Sequence, residues 1–226
     1  MKLLIIRHAE SEGNASGNYS IAQADSLSAK GEKQALRLAD ELASHPFHSI
    51  IVSPLQRALQ TISPYLNTSR QQADIWPEIA EACWHDKREA PADDWFTHPA
   101  SLPSNVNHQL FRYRDGQSVR PAHHETFGEG LCRVHRALER IEDAATRIKG
   151  TVLMVTHGHF IRELLNLMHS PPQLMDYPHD NCGITLVHLS DRWTTEFCNR
   201  QLLNAESNKA LQGTLASSRA PESRRR

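Results

Sequence analysis

The sequence lacks any long apolar stretch. None of its apolar runs approaches the roughly 20 residues that a membrane-spanning helix requires, so we expect no association with a membrane. The four apolar residues that follow Lys2 are also too few for the hydrophobic region of a secretory signal peptide. Both absences predict a cytoplasmic protein, and its 226 residues suffice to bury a core without disulfide bonds.

An excess of charge of one sign is also lacking. The chain carries 25 Lys and Arg against 26 Asp and Glu, a formal charge of −1, which argues against a dedicated nucleic-acid binder. The charge is not evenly distributed, because residues 207–226 carry a net charge of +4 and residues 1–206 therefore carry −5. The segment 207–226 is polar, rich in arginine and free of aromatic residues, which predicts a disordered basic tail.

Cysteine pairs and metal-binding motifs are missing as well. The four cysteines are scattered, with no Cys-x-x-Cys pair, and we interpret them as reduced structural thiols. Although the chain has 14 histidines, it contains neither a His-Glu-x-x-His motif nor a Cys/His framework. We therefore expect no metal and no other cofactor.

The sequence does contain one pattern in three places, a short apolar run that passes into residues with cationic or protonatable side chains. Runs of four or five apolar residues without alternation indicate central strands that are covered on both faces. The three segments are 3–6 followed by Arg7 and His8, 49–52 followed by a helix that carries Arg57, and 151–155 followed by His157.

Amphipathic helices separate these strands. Ser28 is predicted to cap a helix over 29–43, and Pro54 to occupy the first turn of the next helix. An apolar stripe over 127–148 predicts a long helix that faces the core. Strands that alternate with helices predict an α/β fold of three layers, α/β/α, around a mostly parallel sheet. The remaining predicted elements are a helix over 160–168 and two strands over 183–189 and 193–198, which form a hairpin or a sheet edge.

The segment 82–124 interrupts this alternation. It contains four prolines and five Trp, Phe or Tyr residues but shows no clear periodicity. Such a stretch is typical of a lid or of an excursion that determines substrate specificity. We therefore predict a single domain over residues 1–206 that includes this excursion.

The charged residues beyond the three strands are expected to meet at one edge of the sheet, because ligands bind outside the carboxyl ends of parallel strands. Two guanidiniums and two imidazoles make a poor metal site, since arginine repels cations, but a good site for a phosphoryl group. The guanidiniums would stabilise the charge on the phosphoryl oxygens during transfer. An imidazole nitrogen can also take the phosphoryl group covalently.

Four short motifs follow one another along the chain. They are Arg7-His8-Ala9-Glu10-Ser11 with Gly13-Asn14, Asp25-x-Leu27-Ser28-x-x-Gly31, Ser53-Pro54-Leu55-x-Arg57-Ala58-x-Gln60-Thr61, and Thr156-His157-Gly158. Together they resemble the histidine phosphatase superfamily, which includes the cofactor-dependent phosphoglycerate mutases, over most of residues 1–200. The resemblance implies a phosphoglycerate mutase-like fold in which His8 becomes phosphohistidine. The implied residues of the phosphate pocket are Arg7, Arg57 and His157, with Asn14 adding a hydrogen bond.

A reaction through phosphohistidine also needs a general acid for the leaving alkoxide and a carboxylate that later activates water. By the resemblance, Glu81 in Ile79-Ala80-Glu81 takes this role, with a pKa raised by the phosphate and by partial burial. Glu125, just before the long helix, is the alternative candidate. It would serve as the proton donor, form a hydrogen bond in the pocket, or stabilise the N-terminus of the helix.

The leading functional hypothesis is a metal-independent phosphatase that hydrolyses small phosphomonoesters through His8 and Glu81. The first alternative is a cofactor-dependent phosphoglycerate mutase. Mutases of the family carry Trp-Asn after the signature and an aromatic-rich loop with Gly-Trp, whereas this chain has Gly13-Asn14 and a different segment over 16–19. The second alternative is a non-catalytic module that binds a phosphorylated ligand, which would not need the nucleophile. The expected partner is a small phosphorylated substrate, neither nucleic acid nor membrane, and the oligomeric state is unknown.

Overall fold

The computed structural model describes residues 1–82, 103–112 and 125–201, which form one sheet with helices on both faces. The strands of this part of the chain are β1 (Lys2–Arg7), β2 (Ser49–Val52), β3 (Ala73–Ile75), β4 (Phe111–Arg112), β5 (Thr151–Thr156), β6 (Ile184–Leu189) and β7 (Trp193–Arg200). The α-helices are α1 (Glu12–Ser16), α2 (Ala29–Leu42), α3 (Gln56–Ser69), α4 (Phe127–Arg147) and α5 (Gly158–His169). Short 3₁₀ helices cover Pro77–Ile79 and His108–Leu110.

The strand order across the sheet is β4-β3-β2-β5-β1-β6-β7. The five strands from β4 to β1 pair in parallel, whereas β6 pairs antiparallel to β1 and to β7. The predicted mostly parallel α/β sheet is therefore confirmed. The two last strands form the predicted hairpin, with β7 at the edge.

Alternate side chains of the central strands enter two separate hydrophobic cores. Leu4 of β1 is fully buried in one core together with Leu59 of α3. The next residue, Ile5, is fully buried in the other core together with Phe160 of α5. Each such side chain contributes about 1.5–3 kcal/mol when it is removed from water. The two cores confirm the predicted arrangement of three layers.

The predictions for two helix starts had different outcomes. Ser28 caps α2 as predicted. The prediction that Pro54 lies in the first turn of α3 was wrong, because that helix begins at Gln56. The reason is a local hydrogen bond, in which the backbone N–H of Leu55 donates to Ser53 Oγ at 3.3 Å and Leu55 stays extended.

Part of the predicted excursion over 82–124 belongs to the sheet. Its described residues 103–112 contain a 3₁₀ helix and β4, and β4 pairs with β3. The rest of the excursion and the predicted tail over 207–226 lie outside the described residues, so the lid and the tail stay predictions. In the three described ranges, no helix has the length and apolar character that crossing a membrane would require.

The central strands end at the same edge of the sheet. Arg7 at the end of β1 is in register with Thr156 of β5, and Val52 at the end of β2 is in register with Val155. The residues that immediately follow these strands are therefore neighbours in space, as expected from parallel pairing.

Candidate active site

His8 follows the last residue of β1 and is buried, with 2% of its surface exposed. Arg57 Nε donates a hydrogen bond to His8 Nε2 at 3.1 Å. Because a guanidinium can only donate, we assign the lone pair of the ring to Nε2 and its proton to Nδ1. Nδ1 then donates to the Ala9 carbonyl at 2.7 Å. The imidazole is thus held in one tautomer, with the Nε2 lone pair directed at Arg57.

The protonation state of the two central histidines follows from their surroundings. Burial lowers the pKa of His8 well below its usual value, and the positive charges of Arg57 and Arg7 lower it further. Burial first, and then the charge of Arg57, also lower the pKa of His157. Both imidazoles are therefore neutral near pH 7.

Arg57 lies in the first turn of α3 and is oriented by Asp25. One carboxylate oxygen of Asp25 forms an ion pair with Arg57 Nη1. The other oxygen accepts a hydrogen bond from the Gln56 backbone N–H at 2.8 Å. Asp25 therefore fixes both the start of α3 and the direction of the guanidinium.

His157 is the N-cap residue of α5 and is fully buried. Its ring centroid lies 5.1 Å from that of His8. Ser53 Oγ lies 2.6 Å from His157 Nε2 and also accepts a hydrogen bond from the Leu55 backbone N–H at 3.3 Å. The other ring nitrogen, Nδ1, is buried and has no hydrogen-bond partner in the described ranges.

Arg7, the last residue of β1, supplies the second guanidinium of the site. We refer to Arg7, His8, Arg57 and His157 together as the cluster. Its Nη1 donates to the His179 carbonyl, whereas its buried Nε has no hydrogen-bond partner among the residues that the structure describes. The start of α5 comes close to this nitrogen, since a Cβ at Gly158 would lie 3.4 Å from Arg7 Nε. Burial lowers the pKa of Arg7, and the negative charge of Glu81 opposes this shift. The guanidinium stays charged.

Asn14 lies at the border of this cluster. Its Oδ1 accepts hydrogen bonds from the Ser11 backbone N–H and from Asn181 Nδ2, both at 3.2 Å. Asn181 Nδ2 also donates to the His8 carbonyl at 3.1 Å. Asn14 Nδ2 in turn donates to the Tyr19 hydroxyl at 2.9 Å. These partners connect Asn14 to His8 through one intermediate residue and fix the orientation of its amide.

Glu81 follows the first 3₁₀ helix and contacts the start of α5. Its Oε1 accepts a hydrogen bond from the Phe160 backbone N–H at 3.1 Å, and its Oε2 lies 3.7 Å from His159 Nδ1. Burial alone would raise the pKa of Glu81, but His159 and the charge of Arg57 outweigh it, so the pKa lies below its usual value. This direction differs from the expected raised pKa, because the surrounding donors and cations favour the charged carboxylate.

Glu125, the alternative carboxylate, is paired with an arginine of α4. Both of its carboxylate oxygens accept hydrogen bonds from Arg133, each at 2.6 Å. Thr126, rather than Glu125, caps α4. Of the two predicted candidates, Glu81 is therefore the carboxylate whose charge interacts with Arg57 of the cluster.

Four residues that hold the site together had no assigned role in the sequence analysis. Asp25 and Ser53 lie inside the quoted motifs, and those motifs were a signal that could have identified them. Asn181 and Arg133 lie outside every motif, and only the structure identifies their contacts.

The donors of the cluster suit an anion. Two guanidiniums cannot act as metal ligands and repel a cation. Among the residues of the three described ranges, no group of three or more His, Cys, Asp and Glu side chains could hold a metal ion.

The fold and the cluster define a three-layer α/β protein with two arginines and two buried, neutral histidines at the carboxyl edge of its sheet. The sequence profile of the histidine phosphatase superfamily (branch 1) matches residues 3–200. The chain belongs to this superfamily.

Individual relatives resemble the chain over most of its length. Phosphoserine phosphatase 1 of Hydrogenobacter thermophilus is 27% identical over 198 residues, which cover 86% of this chain and 81% of that protein. The adenosylcobalamin/alpha-ribazole phosphatase of Salmonella typhimurium is 30% identical over 174 residues, 76% of this chain and 81% of that protein. The solved alpha-ribazole phosphatase from Shigella flexneri has a TM-score of 0.63 at 21% identity, covers 88% of this chain and 96% of its own, and shares the fold.

Proposed function

We propose that the protein is a phosphatase that hydrolyses small phosphomonoesters through a covalent phosphohistidine at His8. The observation that carries this proposal is the state of the His8 ring, which is buried and neutral, with Nε2 at 3.1 Å from Arg57 Nε. A neutral imidazole nitrogen is a competent nucleophile. A guanidinium beside that nitrogen would bind the oxygens of the phosphoryl group that the nitrogen attacks.

The phosphate pocket would consist of hydrogen-bond donors from four residues. Arg57 and Arg7 supply guanidinium N–H groups, including the unpaired buried Nε of Arg7. His157 would supply an Nδ1–H, in the tautomer in which Ser53 Oγ donates to Nε2, and Asn14 would supply its side-chain amide. The two positive charges compensate a phosphate dianion and stabilise the charge that spreads over its oxygens during transfer.

The reaction divides into two displacements at phosphorus. In the first, the Nε2 lone pair of His8 forms the N–P bond while the P–O bond to the leaving group breaks, and the Glu81 carboxyl gives its proton to the departing oxygen. In the second, the Glu81 carboxylate takes a proton from water and the water oxygen bonds to phosphorus. The N–P bond then breaks and returns its electron pair to Nε2. The products are the alcohol and inorganic phosphate.

Glu81 has to be protonated for the first displacement, although its pKa lies below the usual value. A phosphate dianion bound by Arg7 and Arg57 would neutralise positive charge that lowers this pKa and would add negative charge near the carboxylate. Both changes raise the pKa of Glu81. Substrate binding would therefore bring about the protonation that the first displacement needs.

The relatives supply the first substrates for a screen of phosphate release. Phosphoserine and alpha-ribazole phosphate are to be tested beside sugar, nucleotide and aryl phosphates, because related proteins are named for the first two. We expect release of inorganic phosphate from at least one ester. Interconversion of phosphoglycerates with negligible phosphate release would instead assign a mutase. Binding of esters without either reaction would assign a binding module.

The nucleophile is tested by His8→Ala, with His135→Ala as the matched control. His135 is exposed on α4, and its ring contacts the Leu131 carbonyl of the same helix. We expect His8→Ala to lower kcat/KM by at least about a thousandfold and the control to leave it unchanged. Phosphate release at the wild-type rate in His8→Ala would contradict the proposed mechanism.

A further inference from the structure

We infer that Arg133, together with Glu125, is a positioning residue that holds Glu81 where it can transfer a proton. This inference rests on the proposed function, because it takes Glu81 as the proton donor. Arg133 lies in α4, and it is buried with 6% of its surface exposed. Its guanidinium reaches the turn over 78–81, which carries Glu81.

All five N–H groups of the Arg133 guanidinium are occupied. Nη1 donates to the carbonyls of Glu78 and Ala80 at 2.9 and 2.7 Å, and Nη2 donates to the Glu81 carbonyl at 2.7 Å. Nε and Nη2 also donate to the two carboxylate oxygens of Glu125. One side chain therefore satisfies three carbonyl groups of a single short turn.

The direction of the Glu81 carboxylate depends on this turn. From β5, Thr156 Oγ1 donates to the Ile79 carbonyl at 2.6 Å, and Glu81 Oε1 accepts from the Phe160 N–H of α5. The turn and its carboxylate are thus held by hydrogen bonds from β5 and α5 and by Arg133 of α4. A shift of about 1 Å in the turn would move the donor away from the leaving oxygen, and such a displacement can lower a rate by about 100-fold.

Glu125 gives the arginine its charge balance and its orientation. The two side chains of the pair are only 7% and 10% exposed, so a guanidinium without its carboxylate would be a buried uncompensated charge. The bidentate contact also turns the remaining three N–H groups toward the turn. Lysine at position 133 would keep the charge but would offer a single nitrogen in place of the planar fork.

Arg140 provides a matched control on the same helix. It lies two helical turns beyond Arg133 and forms an ion pair with the Glu78 side chain at 2.8 Å. Its guanidinium stacks over the Trp76 ring, 3.8 Å from the centroid. Arg140 therefore contacts the same region, but through side chains rather than through the carbonyl of Glu81.

The test compares two phosphate esters that differ in their need for an acid. The p-nitrophenyl group leaves as a stable anion and depends little on protonation, whereas an alkyl ester such as phosphoserine or glycerol phosphate depends on it strongly. The value of kcat/KM is measured for both esters in the wild type and in four variants. The variants are Glu81→Gln, Arg133→Lys, Glu125→Gln and Arg140→Lys.

We expect Glu81→Gln to lower kcat/KM for the alkyl ester by about 100-fold or more, and for the aryl ester by less than about tenfold. Arg133→Lys and Glu125→Gln should show the same imbalance, with a loss of about 10- to 100-fold on the alkyl ester and little change on the aryl ester. Arg140→Lys should keep the wild-type ratio. An effect on folding alone would lower both rates equally.

Equal losses on both esters, or no loss, in Arg133→Lys and Glu125→Gln would overturn the inference while leaving the proposed function intact. Should Arg133→Lys fail to fold in a thermal unfolding scan, Glu125→Gln decides by itself. If Glu81→Gln also lowers both rates equally, then the proton donor of the proposed function is wrong, and the inference fails with it.

Discussion

The site has two parts with different supports. The phosphate side consists of Arg7, His8, Arg57 and His157, and the proton side is the turn that carries Glu81. His8 and His157 are the first residues after two paired parallel strands, β1 and β5, and Arg57 lies just beyond β2 at the start of α3. Glu81 instead lies on a turn after a 3₁₀ helix of three residues, and hydrogen bonds from α4 and α5 hold that turn and its carboxylate.

These different supports determine where a substitution can act at a distance. Strand pairing fixes the backbone on which the phosphate side is built, although Asp25 also orients the guanidinium of Arg57. The backbone carbonyls of the Glu81 turn are held by single side chains from other elements. A residue that touches no substrate can therefore move the backbone of the proton donor, whereas on the phosphate side strand pairing holds the backbone and Asp25 acts on the Arg57 side chain and the start of α3.

Among substitutions that keep the nucleophile His8, the largest expected effect is on the phosphate side. Arg57→Met removes the guanidinium beside His8 Nε2, and we expect kcat/KM to fall by about 10²- to 10³-fold. The fall should be similar for aryl and alkyl esters, because the charge on the phosphoryl oxygens needs the guanidinium whatever group leaves. Steady-state kinetics on the two esters measure this ratio.

The control for Arg57→Met is Arg37→Met, since Arg37 is exposed on α2. It should retain the wild-type kcat/KM for both esters. A loss in Arg57→Met that is confined to the alkyl ester would instead assign Arg57 to the proton side and would remove the contrast between the two sides.

Acid titration of stability should separate the two sides by pH. The folded protein keeps His8 and His157 neutral by lowering the pKa of each, while the unfolded chain takes up a proton at each below about pH 6.5. The free energy of unfolding therefore falls as the pH falls, by up to about 1.4 kcal/mol per pH unit for each histidine. The pKa of Glu81 is also lowered, so its contribution to stability is lost only as the pH falls below about 4.5.

Urea unfolding between about pH 7.5 and pH 5.5 measures the histidine contribution. We expect His8→Asn to reduce the dependence of the unfolding free energy on pH in this range, and Glu81→Gln to leave that dependence unchanged. The same dependence in His8→Asn as in the wild type would show that His8 is not held neutral.

The smallest expected effect is that of a chelator. The residues of the phosphate side carry positive charge or donate N–H groups, and guanidiniums repel a divalent cation. EDTA should therefore leave phosphate release within about twofold of the untreated protein. A loss of activity that an added divalent cation restores would contradict this expectation.

More of the phosphate side than of the proton side could be predicted from the sequence. Apolar runs of four or five residues predict central strands, and parallel pairing then predicts that the residues after them meet at one edge. The structure also explains why some positions of the motifs carry the residue that they do. Gly31 is one, because a Cβ there would lie 1.9 Å from the Glu10 carbonyl oxygen.

The remaining features depend on contacts that no local pattern encodes. Arg133 binds the carbonyl of Glu81 across 52 positions of the chain, and its helical stripe gives no sign of that partner. The strands β3 and β4 have three and two residues, too few to show a periodicity. The prediction for Pro54 was wrong for a related reason. The Leu55 backbone N–H donates to Ser53 Oγ, and α3 begins only at Gln56.

The most direct test of the central claim is to isolate the phosphorylated protein during turnover. The enzyme is mixed briefly with a phosphoester that it hydrolyses, quenched in alkali and digested, and the peptide containing His8 is analysed by mass spectrometry. We expect one phosphoryl group on His8 that is stable in alkali, is lost in acid and is absent from His8→Ala. Turnover without phosphate bound to the protein, or with the label on another residue, would contradict it.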